Sequence, residues 1–247
     1  MKLRYAFVLL CTGIAGAALA TVPASGPGSA VATSGAPRTG MLEFYSSPTG
    51  TAETYLRALN SGNKSVALNA MAVPAGHEAE VDAFVSLTIA QHWLQDAAVT
   101  RFKNDGDKVF LGDPKNRVTL TAQLKALSEQ KPDVSGGTAT LLLPPAESGK
   151  EPQKVLLKKV GEDWKLDAMS LYSLDSEKTP IRAALARKLA SITEMAAKDV
   201  TAGKFSSATE AYQEYWTRMK EASQGSAATS RAATASAPAA TTDATRK

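Results

Sequence analysis

The stretch VLLKKVGEDWKLD at residues 155–167 decides the fold class, because its pattern is typical of two strands joined by a tight turn. Gly161-Glu162-Asp163 forms the tight turn, and after it Trp164 and Leu166 alternate with Lys165 and Asp167. Residues 138–143, 153–160 and 164–172 are rich in β-formers and are separated by turn residues. These segments predict an antiparallel meander.

Upstream of the meander, apolar residues recur at helical spacing. Ser47 suits a helix N-cap and Pro48 suits the first helical position, so a helix is expected to begin there and to end near Ser61. Acidic residues early in the long third segment favour a helix start through the helix dipole. The sequence predicts further helices over residues 65–72, 77–102 and 121–130, a turn over 104–107 and a short strand over 108–111.

Downstream of the meander, the pattern returns to helices. Pro180 opens a segment with an apolar stripe, and Gly203 ends it. Ser207 and Glu210 form a capping box for a second helix. The predicted fold is therefore α+β: N-terminal helices and a small antiparallel sheet, followed by a C-terminal helical hairpin.

The N-terminus has the pattern of a secretory signal peptide. Lys2 and Arg4 precede an uncharged apolar run, which ends at Ala18-Leu19-Ala20. The run is shorter than the roughly 20 residues that span a bilayer, so we expect no stable membrane span after cleavage. An uncleaved anchor is the open alternative. The prediction is an exported protein of the periplasm or the extracellular space.

The domain plan follows from composition. We expect a signal peptide at 1–20, a flexible Ala/Ser/Gly/Pro linker at 21–46, an α+β domain at 47–174, a helical hairpin packed on it at 175–221, and a disordered Ala/Ser/Thr tail at 222–247. The single cysteine, Cys11, lies inside the signal segment. The mature chain would then hold no disulfide and no thiolate metal site.

Charge gives no sign of a nucleic-acid partner. The chain carries 28 basic and 24 acidic residues, but six of the basic residues and one acidic residue lie outside 41–221. The remaining 22 and 23 nearly cancel, and no basic cluster with interleaved aromatic residues is present. We expect no nucleic acid; an envelope protein or a small ligand is the partner class left open.

The sequence resembles the NTF2-like superfamily, most of all its small exported members of unknown function. The resemblance rests on Ser47-Pro48, on the helix ending Leu59-Asn60-Ser61-Gly62-Asn63, and above all on Trp164-Lys165-Leu166-Asp167. It covers about residues 47–174 and implies a helix before a curved sheet, in an NTF2-like or cystatin-like arrangement. It also implies a cone-shaped pocket, although the long third helix and the C-terminal hairpin depart from the family pattern.

Candidate site residues are few. His92 and Asp96 lie one helical turn apart, but His92 also falls on an apolar stripe. Trp164 and Tyr172 would line a pocket if the sheet curls, or else fill the core. His77 is expected at the surface. Two histidines in the whole chain make a metal site a poor hypothesis, and no cofactor is expected.

Three functions are compatible with these patterns. The first is a non-catalytic binding or accessory protein of the bacterial cell envelope. The second, implied by the resemblance, is an isomerase- or dehydratase-type enzyme with His92, Asp167 and Tyr172 as its acid–base candidates. The third is a helical protein-interaction module, which an exposed stripe of Ile181, Leu185, Leu189 and Ile192 would favour.

Overall fold

The computed structural model of the protein describes residues 44–110, 118–146, 148–174 and 179–235, without the side chains of residues 179 and 224–235. The predicted signal peptide and most of the predicted linker lie outside the described residues. The helices are α1 (Pro48–Ser61), α2 (Lys64–Asn69), α3 (Glu78–Phe102), α4 (Asn104–Phe110), α5 (Leu120–Ser128), α6 (Ala168–Tyr172), α7 (Thr179–Thr201) and α8 (Ala208–Ala235). The strands are β1 (Met71–Ala72), β2 (Asp133–Ser135), β3 (Thr138–Leu143), β4 (Gln153–Val160) and β5 (Asp163–Asp167).

The strands form one sheet in the order β1-β5-β4-β3-β2. Strands β3 to β5 pair as the predicted antiparallel meander, and Val160 faces Asp163 across the tight β4–β5 turn. Strand β2, which the sequence did not predict, pairs antiparallel with β3 at one edge. The sheet is mixed because β1 adds a parallel edge, with Met71 opposite Leu166. The predicted α+β class, with the helical hairpin last, is confirmed.

One face of the sheet carries the core. Its inward side chains pack against α1, α3 and α5, whereas Leu142 and Leu156 on the other face are 45% and 41% exposed. This alternation is expected of an antiparallel sheet with one solvated face. The inward strand residues are Ala139, Leu141, Leu143, Val155, Leu157, Trp164 and Leu166.

A second apolar cluster joins the C-terminal hairpin to α3. Leu94 of α3 packs with Leu189 and Val200 of α7 and with Tyr215 of α8. Trp93 is half-buried against both this cluster and the sheet cluster. Helix α3 therefore contributes to both halves of the core, as does α7 through Ala186.

Helix α4 replaces the turn and the short strand predicted over 104–111. Lys103 ends α3 with φ of 53°, and the chain folds back at once into α4. A Cβ on Gly106 would lie 2.1 Å from the carbonyl oxygen of Ala98, so only glycine permits this close approach. Phe110, taken as a strand residue, instead meets the ring of Tyr212 edge-on, with centroids 5.4 Å apart.

The strand predicted over 164–172 is also wrong in its second half. Strand β5 ends at Asp167, and α6 follows directly, beside the first residues of β4. The hydroxyl of Ser170 accepts a hydrogen bond from the Leu156 amide, and Gln153 Nε2 donates to the carbonyl of Leu171. These contacts replace the strand pairing that β5 would otherwise have continued.

Two other boundaries differ from the predicted ones. The second helix ends at Asn69, because Met71 and Ala72 pair with β5 instead of continuing the helix. At the other end of the chain, the tail predicted from residue 222 begins inside α8, which runs to Ala235. Alanine has the highest helix propensity of any residue, and this segment is rich in it.

The described helices include none with the length and apolar character needed to cross a bilayer.

Candidate functional site

The three acid–base candidates lie in different surroundings. Tyr172 ends α6, where its ring stacks on Phe84 at a centroid distance of 5.3 Å. His92 lies two turns further along α3, about 12 Å beyond Phe84 along the helix axis. Asp167 ends β5, and its carboxylate accepts a hydrogen bond from Lys158 Nζ at 2.9 Å. The fold does not bring His92, Asp167 and Tyr172 to a common point.

The hydroxyl of Tyr172 is bound to a second phenol. Its oxygen lies 2.8 Å from the hydroxyl oxygen of Tyr55, which comes from α1. Burial raises the pKa of Tyr55 to about 12, and the hydrogen bond with Tyr172 offsets only part of that effect. The pair joins α1 to α6 within the core.

Trp164 is a core residue. Its side chain is 8% exposed and lies in the sheet cluster. Its backbone amide donates to the carbonyl of Tyr45, and its carbonyl accepts from the hydroxyl of Thr51. Strand β5 ends between Trp164 and Tyr172, so the indole lies in the sheet cluster while the phenol lies against Phe84 of α3, and the two do not line a common pocket.

A buried polar cluster escaped the sequence analysis. The carboxylate of Glu80 is fully buried, with Oε2 3.1 Å from His77 Nδ1 and Oε1 3.0 Å from Arg182 Nε. The Arg182 N–H does not point at Oε1, so that oxygen has the charge contact but no aligned hydrogen bond. His77, expected at the surface, is only 6% exposed because it closes this cluster.

Arg182, on α7, connects the cluster to α3 and to the end of α6. Its Nη1 donates to the carbonyl of Ser173 at 2.9 Å, and its Nη2 donates to that of Tyr172 at 3.1 Å. Its guanidinium carbon lies 5.1 Å from the centroid of the Phe84 ring. The cluster fastens the start of α7 to α3 and α6, and the donors and acceptors face one another inside the fold, which is the arrangement of a structural network.

An open surface groove lies where the ends of α3 and α7 meet. Its volume is about 630 Å³, within the range of small-ligand sites. Ala97 contributes the smallest side chain of the lining, and Trp93 bounds it nearer the middle of α3. The lining residues are Trp93, Asp96, Ala97, Thr100, Arg101, Lys103 and Thr201.

The groove holds charged groups that the protein does not use elsewhere. Asp96, Arg101 and Lys103 are exposed, and none of them has an ion pair or hydrogen bond through its side chain within the described residues. Thr201 donates its hydroxyl to the carbonyl of Ala197 and keeps its acceptor capacity. Asp96, which the sequence placed beside His92, is the one residue of that pair that lines the groove. The groove can bind but holds no paired acid and base.

No cluster of three or more His, Cys, Asp or Glu side chains suited to a metal ion occurs in the part of the chain that the structure describes. No family model, curated protein or solved structure matches this chain.

Proposed function

We propose that the protein is an exported, non-catalytic binding or accessory protein of the bacterial cell envelope. Export is supported by Lys2 and Arg4, the uncharged apolar run behind them, and the cleavage pattern that ends at Ala20. The NTF2-like resemblance of residues 47–174 remains part of this proposal. It is compatible with a helix packed before a sheet.

One contrast carries the non-catalytic part of the proposal. The titratable groups of the interior are engaged with one another: Tyr172 with Tyr55, and Glu80 with His77 and Arg182. The charged groups of the groove, by comparison, face solvent without partners within the described chain. Acid–base catalysis needs a base within hydrogen-bond reach of a bound substrate, and the interior pairs offer their polar atoms to each other.

The interaction-module alternative depended on an exposed stripe along α7. Leu189 and Ile192 are buried against α3 and α8, Leu185 is half-buried, and only Ile181 is largely exposed. The stripe is therefore used in packing the hairpin, and the groove is the better binding surface.

Expression of the complete chain in a bacterial host, followed by fractionation, tests export. We expect the protein in the periplasm or the medium, with an intact mass that corresponds to cleavage after Ala20. Native mass spectrometry of the same material should show a co-purifying small molecule or envelope protein. Retention of the full-length chain in the cytoplasm would contradict the proposal.

Substitutions separate binding from catalysis. His92→Ala, Asp167→Asn and Tyr172→Phe should each leave the co-purifying ligand chemically unchanged and still bound, because none of these residues lines the groove. Ala97→Trp should remove the ligand by filling the groove. Conversion of the ligand by the native protein, abolished by any of the first three changes, would favour the enzyme.

A further inference from the structure

The groove is elongated along α3. Trp93 and Arg101 are eight positions apart, so they lie about 12 Å apart along the helix axis. Ala97 lies midway between them, and its small side chain does not fill the groove. A ligand that fills the groove would contact the indole at one end and the guanidinium at the other.

The charged residues of the lining indicate which sign of charge a ligand should carry. The lining contains two cations, Arg101 and Lys103, and one carboxylate, that of Asp96, so it carries a net positive charge. None of the three is neutralised by a side chain of the described residues. The arginine fork can hold a carboxylate through two parallel hydrogen bonds, which a lysine cannot do. The groove therefore favours a ligand with an anionic group at the Arg101 end.

Trp93 provides a fixed apolar surface at the opposite end. The indole edge rests on Gly62, whose φ is 75°, and a Cβ there would lie 2.7 Å from Trp93 Nε1. Glycine at the end of α1 thus lets the ring pack closely, and the ring does not have to be ordered when a ligand binds. An indole presents an apolar face, which suits a ring with C–H groups on one side and hydroxyls at its rim.

The walls argue against a peptide. Both are helices, so the groove has no strand edge to which an extended peptide could add. A single tryptophan and a single alanine do not form the apolar stripe that an amphipathic helix requires. Thr100, Asp96 and Thr201 instead offer side-chain oxygens, which match the hydroxyls of a sugar.

We propose that the groove binds a sugar acid, meaning a pyranose or short oligosaccharide that carries a carboxylate. The carboxylate of the sugar would bind the guanidinium of Arg101, and the sugar ring would stack on the indole of Trp93. The side-chain oxygens of Asp96 and Thr100 would accept hydrogen bonds from the sugar hydroxyls. This inference rests on the proposed binding function and names its ligand class.

Calorimetric titration of the exported protein with a hexuronic acid disaccharide, and with a neutral hexose disaccharide of the same linkage, tests the inference. The acid should bind at least tenfold more tightly than the neutral sugar. Arg101→Gln should weaken the acid about 10- to 100-fold, the loss typical of one charged hydrogen-bonding group, and leave the neutral sugar unaffected. Ala97→Trp should abolish binding of both, while Ala126→Trp on the exposed face of α5 should change neither.

Other outcomes separate this inference from the proposed function. Equal affinity for acid and neutral sugar, or no effect of Arg101→Gln, would overturn the sugar-acid assignment. Preference for a phosphorylated sugar or an acidic peptide over the hexuronic acid would overturn it too. In each case a co-purified ligand that Ala97→Trp displaces would leave the binding function standing. A ligand that survives Ala97→Trp would show that the groove is not its site.

Discussion

Glu80 is the residue on which the junction between α3 and the C-terminal hairpin depends. Its carboxylate is fully buried and faces His77 on one side and Arg182 on the other. A buried charge destabilises the folded state unless it is paired, so removal of one partner leaves the other charge buried and lowers the free energy of unfolding. Truncation of this one side chain should therefore destabilise the packing of α6 and α7, through Arg182, as well as that of α3.

Glu80→Ala is expected to lower the free energy of unfolding by about 3 kcal/mol, because it leaves the mostly buried Arg182 without its anion. Glu78→Ala, two residues earlier and exposed, should cost less than about 1 kcal/mol. Denaturant unfolding measures both. Glu80→Leu combined with Arg182→Leu should be less damaging than Glu80→Ala, since no charge remains buried. Equal effects at positions 78 and 80 would contradict this account.

Tyr55 should make the protein sensitive to alkali. Its pKa is raised by burial from 10.0 to about 12. The folded state holds the phenolic proton more tightly than the unfolded chain does, so the stabilisation is complete below pH 10 and is lost as the pH rises toward 12. The slope is about 1.4 kcal/mol per pH unit.

Unfolding by urea at several pH values between 9 and 12 measures this loss. Tyr55→Phe should show a shallower decline than the unmodified protein. A residual slope is expected from Tyr215, whose pKa burial also raises. If Tyr55→Phe leaves the pH profile unchanged, the pKa of the Tyr55 phenol is not raised in the folded state.

An ionic network holds the helical hairpin together at its loop end. Asp199 of α7 contacts Lys204 Nζ at 2.7 Å and Arg218 Nη1 at 2.8 Å, and Arg218 also reaches Glu214. The hydrogen bond from Lys204, followed by that from Arg218, lowers the pKa of Asp199 below its ordinary value of 3.8. The network joins α7, the connecting loop and α8.

Acid should loosen the hairpin through Asp199. A lowered pKa in the folded state means that the stabilisation is present above pH 3.8 and is lost as the pH falls through the folded-state pKa. Asp199→Asn should cost up to about 1 kcal/mol at pH 7, a value kept small by partial exposure, and should weaken the acid dependence. Thermal unfolding at pH 7 and pH 3 measures both, with Glu221→Gln as the exposed control. An unaltered acid profile in Asp199→Asn would exclude this network as the cause.

Elements with a consistent local pattern are predictable from the sequence, and elements defined by distant contacts are not. Strands β3 and β4 are rich in β-formers and are bounded by turn residues, and α1 has Ser47 as its cap, so their bounds can be predicted closely. Nothing local distinguishes the strand end at Asp167 from the helix that follows. That boundary is set by Ser170, whose hydroxyl binds a backbone amide of β4.

The candidate sites of the molecule likewise depend on contacts between distant parts of the chain, which the sequence does not predict. Glu80 occupies the first turn of α3, where an acidic residue is expected for its effect on the helix dipole, and only the approach of Arg182 gives it a buried partner. The groove likewise needs Thr201 beside Ala97, two positions that are more than a hundred residues apart in the chain. No local periodicity in the sequence predicts such a long-range contact.

The whole chain should unfold as one unit, because α3 belongs to both apolar clusters. Trp164 lies in the sheet cluster, Trp216 packs against the hairpin cluster, and Trp93 contacts both. Helices α3 and α7 pack along each other. Loss of the hairpin would therefore expose one side of α3 and remove Arg182 from Glu80.

Two variants that each keep one informative tryptophan test this cooperativity. Trp93→Phe with Trp216→Phe leaves Trp164 as the reporter of the sheet, and Trp93→Phe with Trp164→Phe leaves Trp216 as the reporter of the hairpin. In each variant the fluorescence midpoint in urea should equal the midpoint of the far-ultraviolet circular dichroism. Because the comparison is made within one variant, any destabilisation by the substitutions cancels. An earlier fluorescence transition for Trp216 would show that the hairpin unfolds separately, and that the polar cluster at Glu80 does not couple the two halves.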